Sequence, residues 1–375
     1  MKIGLIGAGR LGICLALLIG EAGYKVIASD VREDYIYDLQ NKKYNGSEPA
    51  VQELLSRSTN VEFTTDNSIV IKESDIIFTL VQTPSLEDGN YDVSAVWGVV
   101  DDIKETLDKD LVIGKSFVVG CTTNPGDCDE FKDALSDYGI EVHYNPEFIA
   151  QGAIVMNLRH ADMVLIGGDG HHRSTLEDLY EKIQLGYRSP SVHCMSRTAA
   201  EITKIAVNCY LTTKISYANM VGQVMTFAGM DDEIKTVLGA IGSDSRVGTK
   251  YLNYGFGFGG PCFPRDNRAF ASYARSVGVD HAIGDTTDNF NNEHADFLRD
   301  YYLNKNPDEL PYCFKYLTYK PGIDILTESR PYDLALALLE EGYKVYCIDD
   351  TMKGQVDERI IFDPAPIEPC CYIDL

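Results

Sequence analysis

The chain has 375 residues, 45% of them hydrophobic, and its 57 acidic against 33 basic residues give a formal net charge of -24. So acidic a protein is not expected to bind nucleic acid or an anionic membrane, and an anionic ligand would need cations gathered locally around it. No apolar run approaches the roughly 20 residues needed to cross a bilayer. Because the first residues predict a strand and a glycine loop rather than a cleavable signal peptide, we expect a cytoplasmic protein.

The cysteines are scattered along the chain. There are ten of them, and none forms a Cys-x-x-Cys pair. This spacing fits neither a disulfide framework nor a zinc site, so we expect reduced thiols and no metal.

The N-terminal half alternates short β-rich runs with helical stretches up to about residue 191. This alternation predicts an α/β fold with a Rossmann-like, doubly wound parallel sheet. The predicted strands are residues 2–6, 25–29, 76–81, 117–120, 141–144 and 163–167.

A glycine motif follows the first predicted strand and opens an apolar helical segment. It consists of Gly7, Gly9 and Gly12, with Arg10 and Leu11 before the last glycine. Gly7 would make the tight turn, Gly9 would let the backbone approach a pyrophosphate, and Gly12 would let the helix pack close to the strand. The helix N-terminus would then face the phosphates, which predicts a dinucleotide site at residues 7–12.

Asp30 follows the second predicted strand, close to the expected spacing from the glycine motif. Its carboxylate would accept hydrogen bonds from a ribose diol and repel a 2′-phosphate, so the predicted cofactor is NAD. Arg32 lies nearby and leaves NADP open as the minority alternative.

The central part of the chain begins with a stretch at residues 198–230 that has almost no Pro or Gly and predicts a long helix. Thr198 and Glu201 at its start match a capping box. A glycine-rich stretch follows at residues 254–260, and helical patterns continue over residues 265–304.

The last segment repeats the order of loop, helix and strand. A loop at residues 319–330 precedes an apolar helix at 332–341, which stops at Gly342, and a strand at 344–348. This pattern predicts a second, smaller α/β domain.

The most informative motif is GFGFGGPCFPRD at residues 255–266. On residue type alone, Cys262 would be a small buried hydrophobic residue. The stretch resembles the active-site loop of the UDP-glucose/GDP-mannose dehydrogenase family, in which the cysteine is the nucleophile of a double oxidation. Asp266 would lie one helical turn after Cys262, on the same face of a helix.

Other motifs resemble this family in the same order over almost the whole chain. VQTP at 81–84 and TTNP at 122–125 are similar to its two Thr-Pro loops beside the nicotinamide, which implies that Thr83, Pro84 and Thr123 contact the cofactor. NPEFIAQG at 145–152 resembles its Pro-Glu-Phe segment and implies an acid/base role for Glu147. AEITKIAVN at 200–208 resembles its catalytic helix.

Lys204 and Asn208 are four residues apart and would project from one face of that helix. An ammonium and an amide can stabilise a developing oxyanion. Without the resemblance, a pair between Lys204 and Glu201 on a solvated face would be the better interpretation, worth only about 0.3–0.5 kcal/mol.

The resemblance implies NAD-dependent four-electron oxidation of UDP-glucose to UDP-glucuronate. Cys262 would form a thiohemiacetal and then a thioester, and Glu147 or Asp266 would assist hydrolysis of the thioester. Thr123 would position a water or a substrate hydroxyl.

The resemblance also implies the remaining contacts and the assembly. Arg265 is expected at the cofactor, and Arg246 is expected to reach across a homodimer interface. The substrate-binding residues would be Phe148, Ile149, Lys204, Asn208, Arg246, Lys250, Tyr251, Gly259 and Lys320. We expect an NAD-binding domain at 1–195, a central helical dimerisation and catalytic-loop region at 196–304, and a C-terminal nucleotide-sugar-binding α/β domain at 305–375.

Some positions depart from the family pattern. Gln151 stands where many relatives have Glu, and Thr327 stands where relatives commonly carry Arg. The alternatives are therefore a dehydrogenase of a UDP-N-acetylhexosamine or of GDP-mannose, a two-electron hydroxyacid-type dehydrogenase, or a non-catalytic NAD-binding protein. A hydroxyacid-type enzyme would have no use for Cys262, and a non-catalytic protein would be expected to lose catalytic positions that this chain keeps.

Overall fold

The computed structural model of the protein describes residues 1–109, 114–184, 191–280 and 282–375. The chain divides into two compact units, an N-terminal unit at Met1–Lys204 and a C-terminal unit at Ile205–Leu375. Across the described ranges, no helix is both long and apolar enough to cross a membrane. The division into three domains at 1–195, 196–304 and 305–375 stays a prediction.

The N-terminal unit is built on one large sheet. Its described strands run in the order β3-β2-β1-β4-β5-β6-β7-β8. Neighbours pair in parallel except β6 and β7, which meet in antiparallel orientation at Tyr144 and Gly167. The strands are β1 (Lys2–Ile6), β2 (Lys25–Ser29), β3 (Val61–Thr64), β4 (Ile76–Thr79), β5 (Ser116–Val119), β6 (Glu141–Tyr144), β7 (Met163–Gly167) and β8 (Ser191–Met195).

Helices cover both faces of this sheet. They are α1 (Arg10–Glu21), α2 (Glu33–Gln40), α3 (Val51–Arg57), α4 (Asn67–Glu73), α5 (Ser94–Thr106), α6 (Asp127–Ala134), α7 (Ile154–Arg159) and α8 (His172–Ile183). Strand side chains alternate between two apolar clusters. One cluster contains α1, α2, α3, α7 and α8, and the other contains α4, α5 and α6. The predicted Rossmann-like doubly wound sheet is therefore confirmed.

The sequence prediction missed parts of this sheet. It omitted β3 and β8, and it extended the fourth strand two residues beyond its end at Thr79. It also assumed a wholly parallel sheet, whereas the β6–β7 pair is antiparallel. Strand direction is set by the path of the connecting segment rather than by the strand residues, so the residue pattern carries no sign of this reversal.

The predicted long helix is present as α9 (Arg197–Phe227), and it ends three residues earlier than expected. Gly229 has a φ of 74°, a left-handed conformation that ends a helix at little cost for glycine. The boundary between the two units lies within α9, after Lys204.

The C-terminal unit continues with helices α10 (Ile234–Ser243), α11 (Phe263–Ser276), α12 (Ile283–Asn304) and α13 (Arg330–Glu340). The helical pattern predicted over 265–304 is interrupted, because Gly278 has a φ of 89° just beyond α11. The described sheet of this unit is parallel, in the order β11-β10-β9-β12. Its strands are β9 (Tyr312–Phe314), β10 (Val345–Cys347), β11 (Ile361–Phe362) and β12 (Cys371–Ile373). The predicted smaller α/β part is confirmed, and the C-terminal tail supplies an edge strand.

Candidate functional site

The glycine motif has the geometry that a dinucleotide loop requires. Gly7 has a φ of 98°, and a Cβ there would lie 2.7 Å from the Leu80 carbonyl oxygen. A Cβ on Gly12 would lie 2.0 Å from the Gly7 carbonyl oxygen, so the start of α1 packs against the turn only because residue 12 is a glycine. A Cβ on Gly9 would meet no atom within 4 Å, which leaves open space beside the backbone at the N-terminus of α1. These residues fit a bound pyrophosphate.

Asp30 lies at the carboxyl end of β2 and is engaged by Arg32. The guanidinium donates to both carboxylate oxygens of Asp30 at 2.7 and 2.8 Å, and it lies 4.2 Å from the centre of the Tyr35 ring. A carboxylate has lone pairs beyond those two bonds, so Asp30 can still accept from a ribose diol. Arg32 is thus held by Asp30 in the structure.

The other predicted cofactor residues are spread over both units. In the N-terminal unit, Arg10 is exposed and donates to the Gln151 side chain at 3.4 Å, Leu11 is half-buried, Thr83 is buried and Pro84 is exposed. In the C-terminal unit, Arg265 is half-buried in the first turn of α11.

Glu147 follows β6 and is almost fully buried, with 9% of its surface exposed. Its carboxylate accepts a hydrogen bond from the Tyr180 hydroxyl of α8. Burial raises the pKa of Glu147 to about 7, while the Tyr180 hydrogen bond and the Lys204 charge oppose that rise. A carboxyl group that exchanges its proton near neutral pH is suited to acid/base chemistry.

Lys204 lies on α9 within reach of the same segment. Its ammonium donates to the Glu147 backbone oxygen at 2.7 Å and lies 4.7 Å from the centre of the Phe148 ring. The structure therefore brings together Lys204, Glu147 and Phe148, three of the predicted site residues. Ile149, the next predicted substrate residue, is half-buried.

Glu201 is a residue whose importance sequence analysis missed. It is fully buried, and its carboxylate accepts from the Thr123 hydroxyl at 2.8 Å and from the backbone N–H groups of Gly126 and Cys128 at 2.7 and 2.9 Å. Gly126 and Cys128 lie at the N-terminus of α6, so a side chain from α9 caps that helix. Burial raises the pKa of Glu201, and these hydrogen bonds oppose the rise.

Two sequence interpretations of this helix start are wrong. Thr198 and Glu201 do not form a capping box, because the helix begins at Arg197 and the Thr198 hydroxyl donates to Asp129 at 2.8 Å. The alternative pairing of Lys204 with Glu201 on a solvated face is also excluded, since Glu201 is buried against α6. The only signal in the sequence was Glu201 itself, in a helix that resembles the family's catalytic helix.

In the C-terminal unit, Cys262 is an exposed thiol at the N-terminal end of α11. An anion at this end of a helix is favoured by unpaired backbone N–H groups and by the helix dipole. Asp266 lies in the first turn of the same helix, as predicted, and is 2% exposed. The Asn208 amide of α9 donates to the Asp266 carboxylate at 2.6 Å. The structure therefore brings Asn208 and Asp266 together in the unit that carries Cys262.

The glycine-rich loop before Cys262 is held by polar side chains of α9 and α12. Asn219 accepts from the Gly255 N–H at 2.9 Å, and Asn291 both accepts from and donates to the Phe258 backbone at 2.9 Å. His294 contacts the Gly255 oxygen at 2.8 Å. Sequence analysis missed these three side chains, because their partners lie more than 30 residues away along the chain.

The predicted nucleotide contacts lie at the surface of the C-terminal unit. Arg246 is exposed and paired with Asp244 at 2.7 Å. Tyr251 has a φ of 61° and its ring lies 6.1 Å from that of Phe263. Lys250 is exposed and Lys320 is half-buried. A Cβ on Gly259 would lie 2.1 Å from the Glu328 carbonyl oxygen, so this loop requires glycine there.

The predicted catalytic residues thus divide between the units. Thr123, Glu147 and Lys204 belong to the N-terminal unit, while Asn208, Cys262 and Asp266 belong to the C-terminal unit. Within the described part of the chain, no group of three or more His, Cys, Asp or Glu side chains is placed to hold a metal ion.

Comparison with known proteins identifies the family. Residues 1–184 match the NAD binding domain of the UDP-glucose/GDP-mannose dehydrogenase family, and residues 198–293 match its central domain. The UDP-glucose 6-dehydrogenase AglM of Haloferax volcanii is 30% identical over 96% of this chain and 85% of the relative. YwqF of Bacillus subtilis, also a UDP-glucose 6-dehydrogenase, is 28% identical over 92% of this chain and 79% of the relative.

Solved structures agree. A UDP-glucose dehydrogenase from Pyrobaculum islandicum superimposes with a TM-score of 0.84 at 26% identity, covering 97% of this chain and 86% of the other. A UDP-D-ManNAc dehydrogenase from Pyrococcus horikoshii shares the fold, with a TM-score of 0.77 at 22% identity over 92% of this chain and 83% of the other. These findings confirm the resemblance and the predicted cofactor. The chain belongs to the UDP-glucose/GDP-mannose dehydrogenase family, whose members are NAD-binding dehydrogenases of nucleotide sugars.

Proposed function

We propose that this protein oxidises UDP-glucose to UDP-glucuronate in two steps through a covalent intermediate on Cys262. The observation that carries the proposal is the exposed Cys262 thiol at the N-terminus of α11, with the buried Asn208–Asp266 pair in the same unit. A two-electron dehydrogenase has no use for such a thiol. The names of the relatives from Haloferax volcanii and Bacillus subtilis support UDP-glucose as the substrate.

The proposed reaction uses side chains of this protein together with bound NAD and water. When bound, NAD accepts a hydride in each of the two oxidations. The sugar alcohol loses a hydride and a proton, and Glu147 is the proposed proton acceptor. Cys262 then adds to the aldehyde, and the aldehyde oxygen takes a proton to give a thiohemiacetal. Loss of a second hydride and a proton gives a thioester. Water replaces the sulfur, so the overall reaction releases the carboxylate and three protons.

The remaining residues of the site stabilise charge and position the reacting groups. Lys204 and Asn208 lie four residues apart on α9 and are proposed to stabilise the oxyanions. Asp266 accepts from Asn208 and so fixes the orientation of that amide. Asp266 or Glu147 would assist the water that hydrolyses the thioester.

Replacement of Cys262 tests the covalent mechanism. Wild type should release two NADH per sugar, whereas Cys262→Ala should lose the overall reaction and keep NAD binding. Cys262→Ser has a less nucleophilic oxygen, so its turnover should collapse and a covalent ester should accumulate, detectable by mass spectrometry. Cys194, another exposed cysteine, provides the matched control, and Cys194→Ala should behave as wild type. Uronic acid formation by Cys262→Ala at near wild-type rate would show that the thiol is not the nucleophile.

A panel of nucleotide sugars tests the substrate. UDP-glucose, UDP-N-acetylhexosamines and GDP-mannose should be compared by NADH release, with NAD and NADP as cofactors. We expect UDP-glucose to be preferred, and NAD to be preferred over NADP by at least about ten-fold, or ~1.4 kcal/mol, because Asp30 meets a 2′-phosphate with like charge. Competition by GDP without competition by UDP would assign the protein to GDP-mannose instead.

The proposal includes the binding residues and the place of reaction. Arg246, Lys250, Tyr251 and Lys320 are proposed to bind the nucleotide, with Gly259 letting the backbone approach the sugar. Of the three proposed domains, the C-terminal one at 305–375 is the proposed nucleotide-sugar-binding domain. The reaction is placed in the cytoplasm, where the Cys262 thiol stays reduced.

A homodimer is part of the proposal, and an apolar stripe on α9 supports it. The stripe consists of exposed side chains that follow one another at intervals of seven, three, four and three residues. This spacing matches the a and d positions of a heptad. Its members are Tyr210, Tyr217, Met220, Val224 and Phe227. A second copy of α9 would cover such a stripe, and Arg246 would then act in the partner's site.

A charge placed on this stripe tests the dimer. Val224→Glu should yield monomers by light scattering and lose activity, because a buried unpaired carboxylate opposes association. Val277→Glu is the matched control, since Val277 is another exposed valine outside the stripe. A monomeric wild type with full activity would remove the dimer from the proposal.

A further inference from the structure

The buried Tyr180 hydroxyl lies between two acceptors. Tyr180 is 1% exposed on α8, and its oxygen lies 2.7 Å from the Asn145 side-chain oxygen and in hydrogen-bond contact with the Glu147 carboxylate. A phenol carries a single proton. Tyr180 therefore cannot donate to Asn145 and Glu147 at the same time.

The orientation of Asn145 follows from its other contact. Its side-chain nitrogen lies 2.9 Å from the Leu165 backbone oxygen, and a carbonyl oxygen can only accept. The Asn145 amide must direct its NH₂ group to Leu165 and its oxygen to Tyr180. Because Asn145 is 2% exposed, that oxygen depends on Tyr180 for a proton.

The three side chains consequently have two proton arrangements. When Glu147 is protonated, it donates to Tyr180 and Tyr180 donates to Asn145, so every group is satisfied. When Glu147 is ionised, Tyr180 donates to the carboxylate and the Asn145 oxygen loses its donor. An unsatisfied buried acceptor carries a free-energy cost, so Asn145 opposes ionisation of Glu147.

We propose that Tyr180 is a positioning residue whose hydroxyl proton turns between Asn145 and Glu147 as Glu147 gains and loses its proton. Asn145 is the competing acceptor that favours the protonated carboxyl group. The acid/base role of Glu147 in the reaction rests on the proposed function, whereas the proton arrangement does not.

The groups around Glu147 keep its protonated and ionised forms close in free energy near neutral pH. Burial favours the protonated carboxyl group, whereas the Tyr180 hydrogen bond and Lys204 on α9 favour the ionised one, and the pKa of Glu147 lies at about 7. On α1, which packs against α8, burial raises the pKa of the Cys14 thiol, so that group stays neutral. On β6, Glu141 lies 3.5 Å from His143, and burial lowers the pKa of His143.

A double-mutant cycle tests the proposal without any substrate. The carboxylic-acid C=O stretch of Glu147 is followed by infrared spectroscopy against pH, and its band is assigned by its loss in Glu147→Gln. Asn145→Leu removes the competing acceptor, so the pKa of Glu147 should fall by about one pH unit, the size expected for one hydrogen bond to a charged group. In a Tyr180→Phe background, Asn145→Leu should leave the pKa unchanged, because there is no hydroxyl to release.

Controls separate this role from a structural one. Tyr138 is a buried tyrosine whose hydroxyl donates to the Lys104 backbone oxygen at 3.1 Å, and Tyr138→Phe should not alter the effect of Asn145→Leu. Asn145→Ala replaces Asn145→Leu if the leucine variant does not fold. Equal shifts with and without the Tyr180 hydroxyl, or no shift at all, would overturn the proposal.

The pH profile of kcat/KM separates the two proposals. If Glu147 is the acid/base group of the reaction, the kinetic pKa of that profile should fall together with the infrared pKa in Asn145→Leu. A shift in the infrared pKa with an unmoved kinetic profile would leave the Tyr180 switch standing and remove Glu147 from the proposed mechanism.

Discussion

Glu147 and Glu201 are two buried glutamates of the same unit in opposite surroundings. Glu201 accepts hydrogen bonds from three donors, which are the Thr123 hydroxyl and the backbone N–H groups of Gly126 and Cys128 at the start of α6. The described donor to the Glu147 carboxylate is the Tyr180 hydroxyl, which also lies within hydrogen-bond distance of the Asn145 side-chain oxygen. Burial raises the pKa of both carboxyl groups. The difference lies in the number of hydrogen-bond donors to each carboxyl group.

The comparison shows that burial alone does not identify a catalytic carboxyl group. A buried carboxylate with several committed donors holds structure together, because those donors are satisfied and fix its position. A buried carboxylate with one shared donor can exchange a proton at modest cost. Glu201 fits the first description and Glu147 fits the second, and the following substitutions test that contrast.

The largest effect is expected at Glu201. Glu201→Ala leaves three donors without their acceptor in a buried site, so we expect a loss of roughly 4 kcal/mol in the free energy of unfolding. Chemical denaturation measures it. Glu105→Ala, at an exposed glutamate of α5, is the matched control and should change stability by less than about 0.5 kcal/mol. A Glu201→Ala protein as stable as the control would show that the cap of α6 contributes nothing.

Glu147→Gln should raise the free energy of unfolding, whereas Glu201→Ala should lower it, and the size of the gain should depend on pH. The pKa of Glu147 is about 7 in the folded protein against an ordinary 4.5, so the folded state keeps a proton that the unfolded chain has released. The contribution of Glu147 to stability therefore falls as pH rises from 4.5 to about 7 and then levels off. Gln does not titrate, so the variant should gain up to roughly 3 kcal/mol at about pH 8 and nothing near pH 4.

Denaturation of Glu147→Gln and wild type across that pH range checks this prediction. A constant difference at every pH would mean that Glu147 has an ordinary pKa in the folded protein. Activity should be lost in the variant even where stability is gained, since an amide cannot accept the substrate proton.

The sequence was informative where one short segment specifies its own geometry. The loop at Gly7–Gly12 and the acid at Asp30 could be predicted because the turn, the close packing and the strand end are encoded within about 30 residues. The order of motifs likewise pointed to Cys262, Asp266, Lys204 and Asn208.

The missed features share a different property. Glu201 binds α6 across 73 residues, and His294 contacts the Gly255 oxygen across 39 residues. Such partners are set by the tertiary fold, and a capping-box pattern at Thr198 competed as a local explanation for Glu201. The antiparallel β6–β7 pair was missed for the same reason, because strand direction depends on the path of the chain.

Thr123 supports one of the two glutamates, Glu201, and gives the smallest expected effect. Its hydroxyl is fully buried and donates to Glu201, so Thr123→Val removes one of three donors while keeping the shape of the side chain. We expect a loss of about 1.5 kcal/mol in the free energy of unfolding. Thr123→Ser retains the hydroxyl and should recover most of that loss.

Kinetics of the same Thr123 variants then separate support from chemistry. If the hydroxyl serves only Glu201, kcat of the folded variant should stay near that of wild type while stability falls, and stability should return in Thr123→Ser. If the hydroxyl instead positions a water or substrate hydroxyl, as the family resemblance implies, Thr123→Val should lose kcat by far more than its stability explains. A stable Thr123→Val with collapsed kcat would mean that the Glu201 hydrogen bond is exchanged for a substrate contact during the reaction, and the contrast between the two glutamates would then rest on the backbone donors of Gly126 and Cys128 alone.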